Sequence, residues 1–191
     1  SNKKVFWYYS GVNLNLSMQY SKIKLAIVGL GYAGLPLALE FAKKRNVVAY
    51  DINLQRIKNL QIGFDKNREF SKRQIKKIKK IQFTNNQDDL ANCNVFIILV
   101  PTPISKKNNP DLQILKLASK IVGKFVKKNN IIIYESTVYP GVTEEICVPI
   151  LEKSSKLKYL NSDNLSYPGF FCGYSPERIN PGDKKHNISN V

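Results

Sequence analysis

Three glycines spaced Gly29-x-Gly31-x-x-Gly34 follow an apolar run and open a helix-like segment, and a second apolar run ends on Asp51. Residues of these types at this spacing can grip a diphosphate and a ribose. Gly29 lets the chain turn sharply out of a strand Leu25–Val28, Gly31 lets bare backbone approach a pyrophosphate, and Gly34 lets the next helix lie against the strand. The amino end of that helix offers N–H groups and a positive dipole end to an anion without any lysine. Asp51, closing a strand Val47–Asp51, can accept from both hydroxyls of an adenosine ribose and would repel a 2′-phosphate. The stretch therefore predicts a dinucleotide-binding βαβ unit that prefers NAD to NADP. Glycines also punctuate ordinary turns, but strand, helix and acid agree here in position. Flavin dinucleotide binders share the fingerprint, and the segments downstream do not suit a flavin.

Other apolar runs also end in unusual residues. Val100 leads into Pro101-Thr102-Pro103, a rigid turn with one hydroxyl and few backbone donors, suited to line a flat ring or simply to stop a strand. Glu135-Ser136-Thr137-Val138-Tyr139-Pro140-Gly141 sets two hydroxyls before a helix, where Thr137 could bind a ribose, hold a water or cap the helix. Ser175-Pro176-Glu177-Arg178-Ile179-Asn180-Pro181-Gly182-Asp183 puts a carboxylate beside a guanidinium in a proline-braced loop. Arg178 suits a phosphate or carboxylate partner, and Glu177 could act as a base or pair with Arg178.

These segments need a frame that brings strand ends together. Asn53–Ile62 carries Leu54, Ile57 and Leu60 at helical spacing and stops at Gly63; Ile81–Thr84 reads as a short strand. Asn94–Val100 is almost continuously apolar, as in a parallel strand covered on both faces. Asp111 is a candidate N-cap for a helix with Leu115, Ala118, Val122 and Phe125 on one face. Ile131–Glu135 predicts a strand, Gly141–Lys153 a helix and Phe171–Tyr174 a final strand. Alternating strands and helices predict an α/β fold, a Rossmann-like doubly wound parallel sheet with helices on both faces and right-handed crossovers. In such a sheet the ligand lies across the carboxyl ends of the strands, where the unusual segments fall.

Composition excludes several alternatives. The chain has 191 residues and is 43% hydrophobic, enough for one core of its own. No run approaches the roughly 20 apolar residues of a membrane span, so no membrane association is expected. Lys and Arg number 30 against 14 Asp and Glu, a net charge of +16. The charge is spread, and its densest part, Ser71–Lys80, sets Ile75 and Ile78 on one helical face and lysines on the others, as in a solvated amphipathic helix. No aromatic residues interleave to stack bases, so nucleic acid is not the expected partner. Cys93, Cys147 and Cys172 form no CxxC pair and read as reduced, buried structural thiols, consistent with a cytoplasmic protein. No metal is expected, and the single histidine, His186, reads as a loop residue. The only methionine is Met18, so residues 1–17 are expected to be a tag remnant or an upstream extension, with an aromatic patch Phe6–Tyr9 that carries no chemistry.

In this order and at these separations, GLGYAGLPLA, YDIN with Arg56, VPTP, NNPDL, ESTVYPG and SPERINPGD resemble the UDP-glucose/GDP-mannose 6-dehydrogenase family. The branch most similar is that of bacterial UDP-N-acetylhexosamine 6-dehydrogenases, which make uronic-acid donors for surface polysaccharide. The resemblance runs from about Lys22 to His186. It implies a four-electron oxidation in which two NAD+ are reduced as a sugar C6 alcohol becomes an aldehyde and then a carboxylate. In the family a cysteine attacks the aldehyde, the thiohemiacetal yields a second hydride, and water hydrolyses the thioester. By motif, Gly29, Leu30, Gly31, Tyr32, Ala33 and Gly34 would take the pyrophosphate, and Asp51, Asn53 and Arg56 the adenosine end. Val100, Pro101, Thr102 and Pro103, with Ser136 and Thr137, would lie along the rest of the NAD. Thr137 would help position a catalytic water, Glu177 would serve as acid/base in thioester hydrolysis, and Arg178 and Asn180 would meet the UDP-N-acetylhexosamine.

Two departures qualify that transfer. Pro181 stands where the UDP-glucose branch has a second glutamate, in keeping with the N-acetylhexosamine branch. The family's Gly-flanked nucleophilic cysteine, its following aspartate and its catalytic lysine find no match. Residues 1–20 are thus expected to be a tail and 21–191 one NAD-binding Rossmann domain, without the central helix and substrate domain, binding NAD but inactive alone. The parent enzyme is expected to be a homodimer; a stand-alone NAD-binding regulatory module is the alternative.

Overall fold

The computed structural model describes residues 22–104, 110–161 and 168–175, and the backbone of two short segments near the amino terminus. Those segments, β1 (Lys4–Val5) and β2 (Met18–Gln19), pair antiparallel, with Lys4 opposite Gln19. Two residues are too few to show a period, so nothing in the sequence marks these strands. The chain then runs β3 (Leu25–Val28), α1 (Gly34–Ala42), β4 (Val47–Tyr50), α2 (Leu54–Ile62), α3 (Lys72–Lys77), β5 (Ile81–Thr84) and β6 (Val95–Ile98). It continues through α4 (Gln113–Gly123), β7 (Ile131–Tyr134), α5 (Val148–Ser155), β8 (Lys158–Tyr159) and β9 (Gly169–Tyr174).

Seven strands form one parallel sheet in the order β5-β4-β3-β6-β7-β9-β8. The chain starts in the middle, winds outward to β5, then returns to begin its second half at β6. The strand order therefore reverses between β3 and β6, where doubly wound sheets leave a crevice. The register is flush there: Val28 lies beside both Tyr50 and Ile98.

The pleat divides the core into two layers. Leu25 and Ile27 point to one face with Leu35, Leu39, Ile57, Leu60 and Ile75 of α1, α2 and α3. Ala26 and Val28 point to the other with Phe96, Ile98, Leu115, Val122 and Leu151, under α4 and α5. Every residue of β3, β6 and β7 is buried, as their unbroken apolar runs require. α4 and α5 approach closely at Gly123, where a Cβ would stand 2.6 Å from the Ser154 Cβ.

Several boundaries differ from the sequence reading for local reasons. Asp111 stands one residue before the N-cap position, which Leu112 occupies, yet its carboxylate still accepts from the first helical amide, Gln113 N–H, at 2.9 Å. Phe125 lies beyond the end of α4 and packs on the core from the following turn. α3 ends at Lys77 and Ile78 is extended; α3 opens with a Ser71–Gln74 capping box. The expected helix Gly141–Lys153 begins with a π-helical turn, Val142–Cys147, and ends at Ser155. Pro149, just past that turn, has no N–H and would strike the carbonyl one turn back in α geometry, so the wider turn relieves the clash. The edge strand β8 has two residues and no period to read; it lies so close to β9 that a Cβ on Gly169 would be 2.1 Å from the Lys158 carbonyl oxygen.

Candidate functional site

One hydrogen bond past each of the five inner strands keeps the exits level. Gly29 N–H donates to Tyr50 C=O, Asp51 N–H to Thr84 C=O, Leu99 N–H to Val28 C=O, Glu135 N–H to Ile98 C=O and Ser175 N–H to Tyr134 C=O. Gly29, Asp51, Leu99, Glu135 and Ser175 therefore leave the sheet side by side.

The three glycines do different work. Gly29 has φ 97°, a left-handed conformation, and a Cβ on it would stand 2.3 Å from the Leu99 carbonyl oxygen. Gly34 opens α1 directly over Gly29, where a Cβ would come within 1.8 Å of the Gly29 carbonyl oxygen. A Cβ on Gly31 would meet nothing within 4 Å. Gly29 and Gly34 serve the packing of the turn, whereas Gly31 faces open space. No side chain caps α1 at Ala33; in its first turn Leu35 N–H donates to Gly31 C=O at 3.2 Å and Pro36 has no N–H, which leaves Gly34 N–H to a ligand or water.

A cavity of about 450 Å³ opens at the β3/β6 reversal. Gly29, Leu30, Gly31 and Tyr32 form one side, Asp51, Asn53 and Arg56 a second, and Val100 and Pro101 a third. Ile114, Leu117 and Ile121 of α4 form an apolar wall facing them, and Ile52 lines the cavity as well. Ile52, Ile114 and Leu117 are exposed, apolar faces suited to a flat ring. Tyr50 forms part of the buried floor; burial raises its phenol pKa, a hydrogen bond with Gln87 opposes that, and the Asp51 charge adds to it.

Charged groups around the cavity are held in place. The Asp51 carboxylate accepts from Leu30 N–H at 2.8 Å through Oδ2 and from Asn53 N–H at 2.9 Å through Oδ1. Asn53 caps α2, accepting from Arg56 N–H at 3.0 Å, and Gly63 ends that helix with φ 85°. Arg56 donates from Nε to Leu30 C=O at 2.9 Å and from Nη1 to the buried Asp65 carboxylate at 2.7 Å. Beside that pair, burial first and the Asp65 charge second raise the Glu69 carboxyl pKa, against the opposing effect of Arg56.

The other expected positions lie outside the cavity lining. Ser136 is buried, and its hydroxyl oxygen accepts from Val100 N–H at 3.0 Å. Thr102 donates its hydroxyl to Thr137 C=O at 2.5 Å, and Pro103 C=O accepts from Asp111 N–H at 2.7 Å. The first two bonds tie the loop after β6 to the loop after β7, and the third lies within the connection from β6 to α4. The Thr137 residue is exposed beside that tie. Glu177, Arg178 and Asn180, like His186, lie outside the described residues.

Sequence reasoning missed Asp65, Lys66, Asn67 and the α4 wall. Ile114 and Leu117 had a signal: they are apolar at helix positions off the buried stripe Leu115, Ala118 and Val122. Asp65 had none, because an acid after a helix-ending glycine is ordinary loop chemistry. Cys93, Cys147 and Cys172 are all buried and unpaired by disulfides, and burial pushes the Cys93 thiol up to about 11. Among the described residues no cluster could hold a metal ion, and no helix is long and apolar enough to cross a membrane.

A reversed parallel sheet, a glycine turn meeting an uncapped helix, and an acid on the neighbouring strand define a Rossmann-type dinucleotide-binding domain. Residues 23–191 match the model of the UDP-glucose/GDP-mannose dehydrogenase family, NAD binding domain, and the chain belongs to that family, with NAD as its cofactor. It is 55% identical over 169 residues to a UDP-N-acetyl-D-glucosamine 6-dehydrogenase of Pseudomonas aeruginosa, covering 88% of this chain and 38% of that protein. A Salmonella typhi protein of the same name is 48% identical over 170 residues, with 89% and 38% covered. The solved structure of a UDP-D-ManNAc dehydrogenase from Pyrococcus horikoshii superposes with a TM-score of 0.72 at 34% identity, covering 84% of this chain and 37% of that one. The chain thus spans 38% of the length of these curated relatives.

The cavity fits NAD on its own geometry. The open space at Gly31, the Asp51 carboxylate beside it and the apolar face of Leu117 match the diphosphate, ribose and adenine of one nucleotide half.

Proposed function

We propose that this chain is the cofactor-holding part of a nucleotide-sugar 6-dehydrogenase, one that oxidises the C6 alcohol of a UDP-N-acetylhexosamine to the uronic acid with two NAD+. The observation that carries the substrate class is the 55% identity to a UDP-N-acetyl-D-glucosamine 6-dehydrogenase across 88% of the chain. Bound NAD supplies a hydride acceptor; the residues described here bind and orient it.

In this reading Gly31 with the amino end of α1 receives the pyrophosphate, on the turn that Gly29 and Gly34 shape. Asp51 keeps lone pairs free beyond its two backbone bonds and takes the ribose hydroxyls, while Ile52 and Leu117 enclose the adenine. Val100 to Pro103 carry the chain of contacts toward the nicotinamide, and Ser136 acts by holding Val100. Thr137 positions the hydrolytic water, Glu177 is the acid/base group, and Arg178 and Asn180 meet the nucleotide sugar. The nucleophilic thiol belongs to a part of the enzyme beyond these residues, since Cys93, Cys147 and Cys172 are buried in the core. We assign the parent enzyme to the cytoplasm, as a homodimer.

Calorimetric titration tests this directly. The purified chain binds NAD+ more tightly than NADP+ and forms no NADH when given NAD+ and UDP-N-acetylglucosamine. Turnover by the pure chain, or no NAD+ binding, overturns the reading.

A further inference from the structure

Leu30 is held at both of its backbone groups. Its N–H is bound by Asp51 Oδ2 at 2.8 Å and its C=O by Arg56 Nε at 2.9 Å. Leu30 is fully buried, so neither group could turn to water instead. The Leu30–Gly31 bond is trans, so fixing the carbonyl also fixes the opposed N–H of Gly31. Gly31 is the loop position where a side chain would find only open space.

Arg56 is itself held by Asp65. The Asp65 side chain has no exposed surface, and its Oδ1 accepts from Arg56 Nη1 at 2.7 Å and Asn67 N–H at 3.2 Å. Its Oδ2 accepts from Glu69 N–H at 3.0 Å and Phe70 N–H at 3.3 Å. Four donors around one buried carboxylate allow it little choice of position. A guanidinium can serve two acceptors in fixed directions, one at Nε and one at Nη1, which an ammonium cannot. The remaining Nη2 is buried with no partner among the described residues, so the Asp65 and Leu30 bonds alone aim the group.

We propose that Asp65 is a positioning residue for the dinucleotide: acting through Arg56, it fixes the Leu30–Gly31 peptide that faces the pyrophosphate. The proposal rests on the NAD site described above. Asp65 contacts no phosphate. In the proposed reading adenine and ribose meet Ile52, Leu117 and Asp51, so a loss routed through the Leu30–Gly31 peptide falls chiefly on ligands that carry a phosphate.

The test is a double-mutant cycle read by binding of NAD+, ADP and adenosine to the folded chain. Asp65→Asn is expected to weaken NAD+ and ADP by about tenfold and adenosine by less than about twofold. In an Arg56→Gln background the same substitution is expected to cost NAD+ nothing further, since the link is already cut. A merely structural role predicts equal losses for all three ligands and the full extra loss in the Arg56→Gln background; either result overturns the proposal. Should Asp65→Asn fail to fold, Arg56→Lys keeps a cation on Asp65 but cannot also reach Leu30. It is expected to show the same phosphate-selective loss, and wild-type NAD+ affinity in Arg56→Lys overturns the proposal. Wild-type chain that fails to bind NAD+ refutes the NAD site itself, a result separable from any of these.

Discussion

Gly34 lies over Gly29 so closely that a Cβ on it would stand 1.8 Å from the Gly29 carbonyl oxygen. The first helix can rest on the first turn only because Gly34 carries no side chain there, whereas a Cβ on Gly29 would strike the Leu99 carbonyl oxygen. Gly31, two residues after Gly29, has no such neighbour.

The two positions should therefore fail differently. Gly34→Ala is expected to lower the thermal midpoint, because backbone and not a flexible side chain blocks the new methyl; overpacking of this kind costs about 1–3 kcal/mol. Gly31→Ala is expected to melt as the parent does and to bind NAD+ at least about tenfold more weakly, a loss of roughly 1.4 kcal/mol. Scanning calorimetry beside titration separates them, and equal melting points for the two variants would contradict this division.

Asp51 should control the choice of cofactor. Its carboxylate both steadies Leu30 and presents negative charge to the cavity. Asp51→Asn is expected to weaken NAD+ and to narrow the preference over NADP+ by about tenfold, since the charge that repels a 2′-phosphate is gone. An unchanged ratio of the two dissociation constants counts against the assignment.

Leu117 should act on affinity without acting on the fold. It is 46% exposed on α4, off the buried stripe, and faces the cavity. Leu117→Ala keeps a strong helix former and is expected to leave the thermal midpoint unchanged while weakening adenosine by about 1 kcal/mol through lost apolar contact. A melting change without a binding change would place Leu117 in packing instead.

Ser136→Ala removes the acceptor of the Val100 N–H. A half-buried amide left unpaired costs about 1–3 kcal/mol, so urea denaturation should show a loss in that range. The isosteric Ser136→Cys, a weak acceptor, should recover little of it.

Alkaline pH should destabilise the chain through its thiols. Burial holds the Cys93 pKa near 11 against 9.0 for a free thiol. Below pH 9 the thiol is neutral in both states and its contribution is intact. Between 9 and 11 the unfolded chain ionises first, which favours unfolding, and the contribution is lost by the time pH passes about 11. Urea midpoints compared at pH 8 and pH 10.5 should fall less in Cys93→Ala than in the parent.

Much of the frame was legible in one dimension. The unbroken apolar run at Val95–Ile98 announced a doubly covered strand, and Gly63 marked the end of α2, because burial on two faces and a left-handed φ each restrict residue choice locally. β8 was not legible, since two residues paired to a distant strand leave no period. The π-helical entry to α5 was not either, although Pro149 is its local cause.

The sequence by itself determined that a glycine turn, a helix and an acid on the next strand would meet, because those requirements act within one βαβ unit and each restricts a single position. Only the tertiary structure decided what surrounds them. The apolar wall from α4 and the Arg56–Asp65 pair that holds Leu30 depend on crossovers and loop closures between distant residues. At those positions many residue types are acceptable locally, and the one that matters is set by what the fold places beside it.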